Sequence, residues 1–183
     1  MTVRKAKLCD AGEIHALMQP QVASGALLPR SLAYVCENIR DFSVIEDAAH
    51  RLVASGALHF LDEDVAELQS LVVHPREQNR GLGALLVQRL LRDARRYQAW
   101  KVFALTHLPE FFLHNGFTRT AISELPQKFV RDCVNCPKLH DCHQVAVICD
   151  VYARRRRRSA ARRAAPLRPR PTQLSASPLA VLQ

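Results

Sequence analysis

The chain has 183 residues, of which 48% are hydrophobic, which suits one domain with a real core. Its formal net charge is +9, but nine of its 26 Lys and Arg residues lie within 153–183, where no acidic residue occurs, so residues 1–152 are electrically neutral. This balance excludes a general basic surface as the feature that selects a ligand for the folded part. No apolar run approaches the roughly 20 residues of a membrane span, so we expect a soluble, cytoplasmic protein that makes no membrane contact.

Two helices are predicted ahead of the main sheet. Residues 4–8 fit an edge strand, and Asp10 and Glu13 have the spacing of a capping box at the start of a first helix. Apolar residues at helical spacing continue this helix to a predicted stop at Pro20. After a loop, Ser31 is expected to cap the second helix.

The next segments alternate between strand and helix patterns. Residues 43–46, 52–61 and 65–73 predict a three-stranded meander, because they are rich in branched apolar residues or alternate in polarity. From Leu82 onward an amphipathic helix is predicted. A strand at 101–106, a short helix at 109–115 and a final strand at 144–151 complete the domain.

A glycine loop joins the third strand of the meander to the amphipathic helix. Glycines at 81 and 83 let the backbone approach a ligand, and a helix N-terminus presents unpaired N–H groups with a positive dipole, so the loop is suited to a pyrophosphate. A Walker loop is excluded because no Lys-Ser/Thr follows the last glycine, and the three-glycine dinucleotide fingerprint is absent. The remaining pattern is Gln78-x-x-Gly81-x-Gly83.

This pattern resembles the coenzyme A loop of the GNAT superfamily of N-acetyltransferases, Gln/Arg-x-x-Gly-x-Gly/Ala. Val72-Val-His-Pro75 before the loop and Phe111-Phe-Leu-His-Asn-Gly-Phe117 after it match the order of the family's motifs. The resemblance implies an α/β GNAT fold over residues 1–152, with a mixed, mostly antiparallel twisted sheet and about four helices. It also implies acetyl-CoA as cosubstrate, held by Leu71, Val72, Val73, Gln78, Asn79, Arg80, Gly81, Leu82, Gly83, Ala84 and Thr106.

Within that superfamily the chain resembles the short N-acetylglutamate synthase type over nearly all of residues 3–151. The matching stretches include Gly25-Ala-Leu-Leu-Pro-Arg-Ser31, Ala66-Glu-Leu-Gln-Ser-Leu-Val-Val73 and Leu125-Pro-Gln-Lys-Phe129. This likeness implies acetyl transfer to the α-amino group of L-glutamate, for arginine biosynthesis. Longer synthases carry an amino-acid-kinase-like regulatory domain, for which this chain has no room. Another amine acceptor, or a non-catalytic acetyl-CoA-binding module, is the alternative.

The resemblance also implies roles for individual side chains. Glu67 occupies the position where many relatives have a general base, the alternative being a solvated strand residue. Relatives use a tyrosine as the general acid where this chain has phenylalanines. Either Thr106 or a water therefore protonates the leaving thiolate, or the thiolate leaves unaided. For the carboxylates of glutamate, Arg30 is the first candidate, assisted by Ser31, and His59 is the second. A surface ion pair for Arg30 and a core role for His59 are the alternatives.

Two features lie outside the acetyltransferase pattern. Cys133, Cys136, Cys142 and His143, with His140 nearby, form a compact set of soft ligands that predicts one structural zinc, although packed thiols remain the alternative. Residues 153–183, rich in Arg, Pro and Ala, are predicted to be a disordered basic tail that contacts nucleic acid or acidic partners weakly, if at all. The oligomeric state stays open, and a homodimer is compatible with the sequence.

Overall fold

The computed structural model describes residues 1–128, 130, 133–134, 136 and 141–152. Within this part of the chain, no helix combines the length and the apolar character needed to span a bilayer. The basic tail predicted for residues 153–183 lies outside the described residues.

A mixed sheet organises the described residues. Its seven strands follow the order β1-β2-β3-β4-β5-β7-β6, and every neighbouring pair is antiparallel except β4 and β5. The sheet confirms the predicted mixed, mostly antiparallel α/β class. The strands are β1 (Thr2–Lys5), β2 (Phe42–Glu46), β3 (Leu52–Phe60), β4 (Val65–Val73), β5 (Lys101–Thr106), β6 (Thr118–Arg119) and β7 (Val145–Asp150).

Helices cover both faces of this sheet. One face packs against α3 through Leu58, Leu68 and Leu90, and the other packs against α1 and α2 through Ile14 and Val72. Both apolar faces are therefore buried, as an α/β layer arrangement requires. The helices are α1 (Ala11–Ala23), α2 (Leu32–Glu37), α3 (Leu82–Arg96), α4 (Pro109–His114) and the short turn α5 (Pro126–Lys128).

Two predictions for the N-terminal region are wrong. Helix α1 continues through Pro20 to Ala23, because an internal proline removes only one hydrogen bond of the helix ladder and the following turn supplies others. The capping box predicted for Asp10 and Glu13 does not form. The carboxylate of Asp10 accepts hydrogen bonds from the Arg4 guanidinium, and that of Glu13 accepts from the Leu52 N–H, at the start of β3.

A β-bulge in β4 decides where the site lies. Ser55 pairs with Val72 but Ala57 pairs with Gln69, so two residues of β4 stand opposite one residue of β3. Ser70, inside the bulge, has a φ of +53°. The extra residue exchanges the faces of the strand: Leu68, before the bulge, packs in the α3 core, whereas Val72, after it, packs in the α1 core.

The parallel pairing of β4 with β5 stops just before this bulge. It covers three positions and ends where Glu67 stands beside Phe103, and the described residues show no further pairing between the two strands. The later halves of β4 and β5 therefore separate, which opens the sheet at its centre.

Candidate active site

A cavity of about 470 Å³ fills the opening between β4 and β5. Its lining comes from three regions of the chain that are distant in sequence. These regions are Gln21, Ala26 and Leu27; Leu68–Val73 of β4 with the following loop and first turn of α3 from Glu77 to Ala84 (without Arg80); and residues 104–108 with Phe111 and Phe112 of α4.

The N-terminus of α3 faces this cavity with unpaired donors. Gly81 is the N-cap residue, with a φ of +77° and no side-chain cap, and the first N–H bonded back to the Gly81 carbonyl is that of Leu85, at 3.0 Å. The N–H groups of Leu82, Gly83 and Ala84 precede that bond and have no helical partner. Together with the helix dipole they form a cradle for a phosphate group.

The two loop glycines are required for different reasons. A Cβ on Gly81 would meet no heavy atom within 4 Å, so this position requires glycine because its backbone is left-handed, not because space is short. A Cβ on Gly83 would stand 3.1 Å from the ring of Phe111, so here glycine makes room for an aromatic neighbour. The sequence motif shows the glycines, but only the packing separates their roles.

Ten of the eleven residues predicted to hold the cofactor line the cavity, all within the described part of the chain. Arg80 is the exception, because its guanidinium forms an ion pair with Glu77. The side-chain amide of Gln78 donates to the carbonyl oxygen of Val73 at 3.2 Å, which ties the loop to the end of β4. The hydroxyl of Thr106 accepts from the N–H of Leu108 at 2.9 Å, so its proton is left to donate elsewhere.

Glu67 is a buried carboxylate, only 4% exposed, and the alternative of a solvated strand residue is wrong. Its Oε1 lies 2.8 Å from the Nζ of Lys128, which is itself 3% exposed. Sequence reasoning missed Lys128, although the resembling stretch Leu125-Pro-Gln-Lys-Phe129 contained it.

Arg30 lies in a small polar cluster that sequence reasoning also missed. Its Nη2 donates to Gln69 Oε1 at 2.9 Å, and its guanidinium carbon stands 4.6 Å from the ring centre of Tyr34. Gln69 Nε2 in turn donates to the Tyr34 hydroxyl at 2.9 Å. The predicted helper, Ser31, caps α2 by accepting the Tyr34 N–H at 3.1 Å, and its hydroxyl proton is left to donate elsewhere.

The basic side chains Arg30, His59 and Lys128 differ in their partners. The Nδ1 of His59 is 2.6 Å from an Asp41 carboxylate oxygen, and Lys128 is paired with Glu67. Arg30 makes its side-chain hydrogen bond to a neutral amide, and none of the ion pairs among the described residues includes it. Its positive charge therefore remains available for an anionic ligand.

The predicted zinc site is not supported. Among the residues that the structure describes, no three His, Cys, Asp or Glu side chains are close enough together to hold a metal ion. Of the four predicted ligands, Cys142 is exposed, and His143 Nε2 lies 3.0 Å from an Asp141 carboxylate oxygen. The neighbouring His140 lies outside the described residues.

A phosphate cradle on α3, a bulged β4 and an opened parallel pair together define the class of acetyl-CoA-dependent N-acetyltransferases. The chain belongs to the Acetyltransferase (GNAT) family, whose model matches residues 19–117. An uncharacterized N-acetyltransferase from Chlorobaculum tepidum is 34% identical over 146 residues, covering 80% of this chain and 94% of that protein. The amino-acid acetyltransferase of Mycobacterium tuberculosis is 37% identical over 118 residues, covering 63% of this chain and 67% of the relative.

Two solved structures share the fold of this chain over most of its length. The N-acetylglutamate synthase of Neisseria gonorrhoeae, complexed with coenzyme A and N-acetyl-glutamate, aligns with a TM-score of 0.72 at 27% identity, over 82% of this chain and 35% of that one. A Mycobacterium tuberculosis protein in complex with CoA aligns with a TM-score of 0.70 at 29% identity, over 82% of this chain and 99% of that one. The chain thus spans about a third of the gonococcal synthase and nearly all of the mycobacterial protein.

Proposed function

We propose that this protein transfers the acetyl group of acetyl-CoA to the α-amino group of L-glutamate, giving N-acetyl-L-glutamate for arginine biosynthesis. The observation that carries the proposal is the position of Arg30. Arg30 is a half-buried cation that is hydrogen-bonded to the neutral amide of Gln69. Gln69 follows Glu67 by two residues on β4, so the two side chains stand on the same face of the strand. A cation for a carboxylate thus lies beside the strand that carries a base for an amine.

The chain's residues fit acetyl-CoA. The unpaired N–H groups at the start of α3 suit its pyrophosphate, and the cavity between β4 and β5 is large enough for a narrow chain of methylene and amide groups. The edge of β4 that faces β5 is unpaired after Glu67, which leaves backbone donors at Leu71 and Val73 for the pantetheine and the thioester carbonyl.

The cosubstrate supplies a thioester, whose carbonyl carbon gains a bond to the amino nitrogen and loses its bond to sulfur. Glu67 receives one proton from the substrate ammonium, through a water or directly, and passes it to solvent. The second proton lost by nitrogen goes to the departing thiolate, and the Thr106 hydroxyl on the cavity wall can relay it, because it gives its own proton to sulfur and takes up the one from nitrogen. Phe111 and Phe112, at the place where relatives have an acidic tyrosine, cannot supply it.

Recognition of the acceptor follows from the directions of the hydrogen bonds among Arg30, Gln69 and Tyr34. Because Gln69 donates to the hydroxyl oxygen of Tyr34, the Tyr34 proton is directed away from Gln69. Arg30 bonds to Gln69 through one nitrogen, so its other N–H groups remain available as donors. A carboxylate placed between them would receive donors from both side chains, with the planar fork of Arg30 giving the stronger share.

The test is an assay of the full chain with acetyl-CoA and single amino acids. L-Glutamate, L-glutamine, L-aspartate and L-ornithine are compared by thiol release, and mass spectrometry identifies each product. Glutamate should give the highest kcat/KM and an N-acetyl product. Preference for another amine would move the acceptor within the same reaction class. Tight acetyl-CoA binding in calorimetry without turnover on any amine would make the protein a binding module instead.

A further inference from the structure

Lys128 connects the C-terminal part of the domain to the proposed base. Its ammonium lies 2.8 Å from Glu67 Oε1, and the two side chains are 4% and 6% exposed. Such a pair is short enough for a charge-assisted hydrogen bond and is shielded from water, so both groups are held in place.

The backbone that carries Lys128 is anchored beside Glu67. Leu125, just before α5, is 2% exposed and packs with Phe103 and Ala146. Phe103 is the β5 residue paired in register with Glu67. The segment is therefore fixed against the two strands that meet at the base.

The other charged groups around Glu67 do not replace this contact. His59 stands opposite Glu67 on β3, but its Nδ1 is 2.6 Å from the carboxylate of Asp41. From β5, the residue in register is the apolar Phe103. Among the residues that the structure describes, Lys128 is thus the cation in direct contact with the Glu67 carboxylate.

We propose that Lys128 is the positioning residue of the base: it holds Glu67 ionised and aims its second oxygen at the acceptor amine. The proposal rests on the proposed acetyl transfer, in which Glu67 accepts the proton. A buried carboxylate without a counter-charge favours its neutral form, and a neutral carboxyl cannot accept a proton from the substrate. The ammonium of Lys128 removes that obstacle without touching the substrate.

The experiment compares pH–rate profiles of the full chain between pH 6 and 9 for wild type, Lys128→Met, Lys128→Gln and Lys128→Arg. Arg4→Met is the control, because Arg4 on strand β1 forms two other short ion pairs away from the cavity, 2.7 Å from Asp10 and 2.9 Å from Glu46. Both neutral variants of Lys128 should lower kcat near pH 7 by ~10² and leave the KM for acetyl-CoA within about twofold. Their rates should recover as pH rises, with the acidic limb moved up by about one pH unit or more.

Lys128→Arg retains the charge and should keep the wild-type acidic limb, while Arg4→Met should leave the profile unchanged. Profiles of the neutral variants that run parallel to wild type, or a loss confined to KM, would overturn the inference. So would a failure of both neutral variants to fold, since the pair would then serve the fold alone.

A second measurement separates this inference from the acetyl-transfer proposal. Glutamate labelled with ¹³C at its side-chain carboxyl is incorporated, and the Glu67 signal is assigned with Glu67→Gln. In Lys128→Met the Glu67 carboxyl should take up its proton at a higher pH than in wild type, whether or not any amino acid is acetylated. An inactive wild type refutes the proposed function, whereas identical titrations of the two proteins refute the role of Lys128.

Discussion

Replacing Arg30 with alanine removes the cation to which we assign the acceptor carboxylate. Apart from that charge, the substitution removes one hydrogen bond to Gln69 and the stacking on Tyr34, 4.6 Å from the ring centre. Neither contact is fully buried, so the domain should stay folded, and the loss should be found in acceptor binding.

The magnitude follows from the partial burial of Arg30. Truncating one side of a buried charge pair costs about 2 to 5 kcal/mol, and a half-buried arginine belongs at the lower end, about 2 to 3 kcal/mol. This corresponds to a rise of about 30- to 150-fold in the KM for glutamate. The KM for acetyl-CoA should barely move, because the α3 cradle is made by other residues. Arg30→Lys keeps the charge without the planar fork and should recover only part of the loss.

Steady-state assays with varied glutamate at saturating acetyl-CoA measure this effect, and Arg40→Ala is the matched control. Arg40 is an exposed arginine after α2, and it does not belong to the cluster of Arg30, Gln69 and Tyr34. Glutamine then shows which carboxylate Arg30 holds. A loss for glutamate alone places Arg30 on the side-chain carboxylate, and equal loss for both substrates places it on the α-carboxylate. An unchanged KM for both would refute the assignment.

Three further results are expected. Gly81→Val should abolish acetyl-CoA binding in calorimetry, because the φ of +77° at this position strains any Cβ-branched residue. Gly116→Val is the control, since Gly116 has a φ of +90° and equally open space, and this variant should retain binding. Equal affinity of both variants would contradict the phosphate cradle. Glu67→Gln should lower kcat by ~10² or more with acetyl-CoA affinity unchanged, and a rate within twofold of wild type would place the base elsewhere. The Arg4 guanidinium holds the pKa of Asp10 below its usual range, so this pair stabilises the fold above about pH 4 and the stabilisation is lost as pH falls further. Asp10→Asn should therefore lower the free energy of unfolding in urea by about 1.5 to 3 kcal/mol at pH 7, with a gap that narrows below pH 4; a constant gap would contradict the pairing.

The local elements were largely predictable because their causes are local. The strands at 65–73 and 101–106 coincide with β4 and β5, and those at 43–46 and 52–61 differ from β2 and β3 by one residue at an end. Branched apolar residues and turn residues determine such segments within a few positions. The glycine loop and the helix after it were predictable for the same reason, since left-handed backbone and unpaired N–H groups depend on neighbouring residues alone. Strand β6, with two residues, is too short for a pattern to reveal.

The sequence by itself therefore determined the class of fold, the family and the glycine loop to which we assign the cofactor. Only the tertiary structure decided which side chains meet around the acceptor, because those contacts join distant parts of the chain: Arg30 reaches Gln69 across 39 residues, and Lys128 on α5 reaches Glu67 on β4. The bulge at Ser70 adds a second reason. One extra residue exchanges the faces of β4, so strand alternation alone would place Leu71 on the side of Glu67, whereas it packs with the α3 core. Pairing across a sheet and burial against a distant segment are properties of the folded chain, and no local pattern records them.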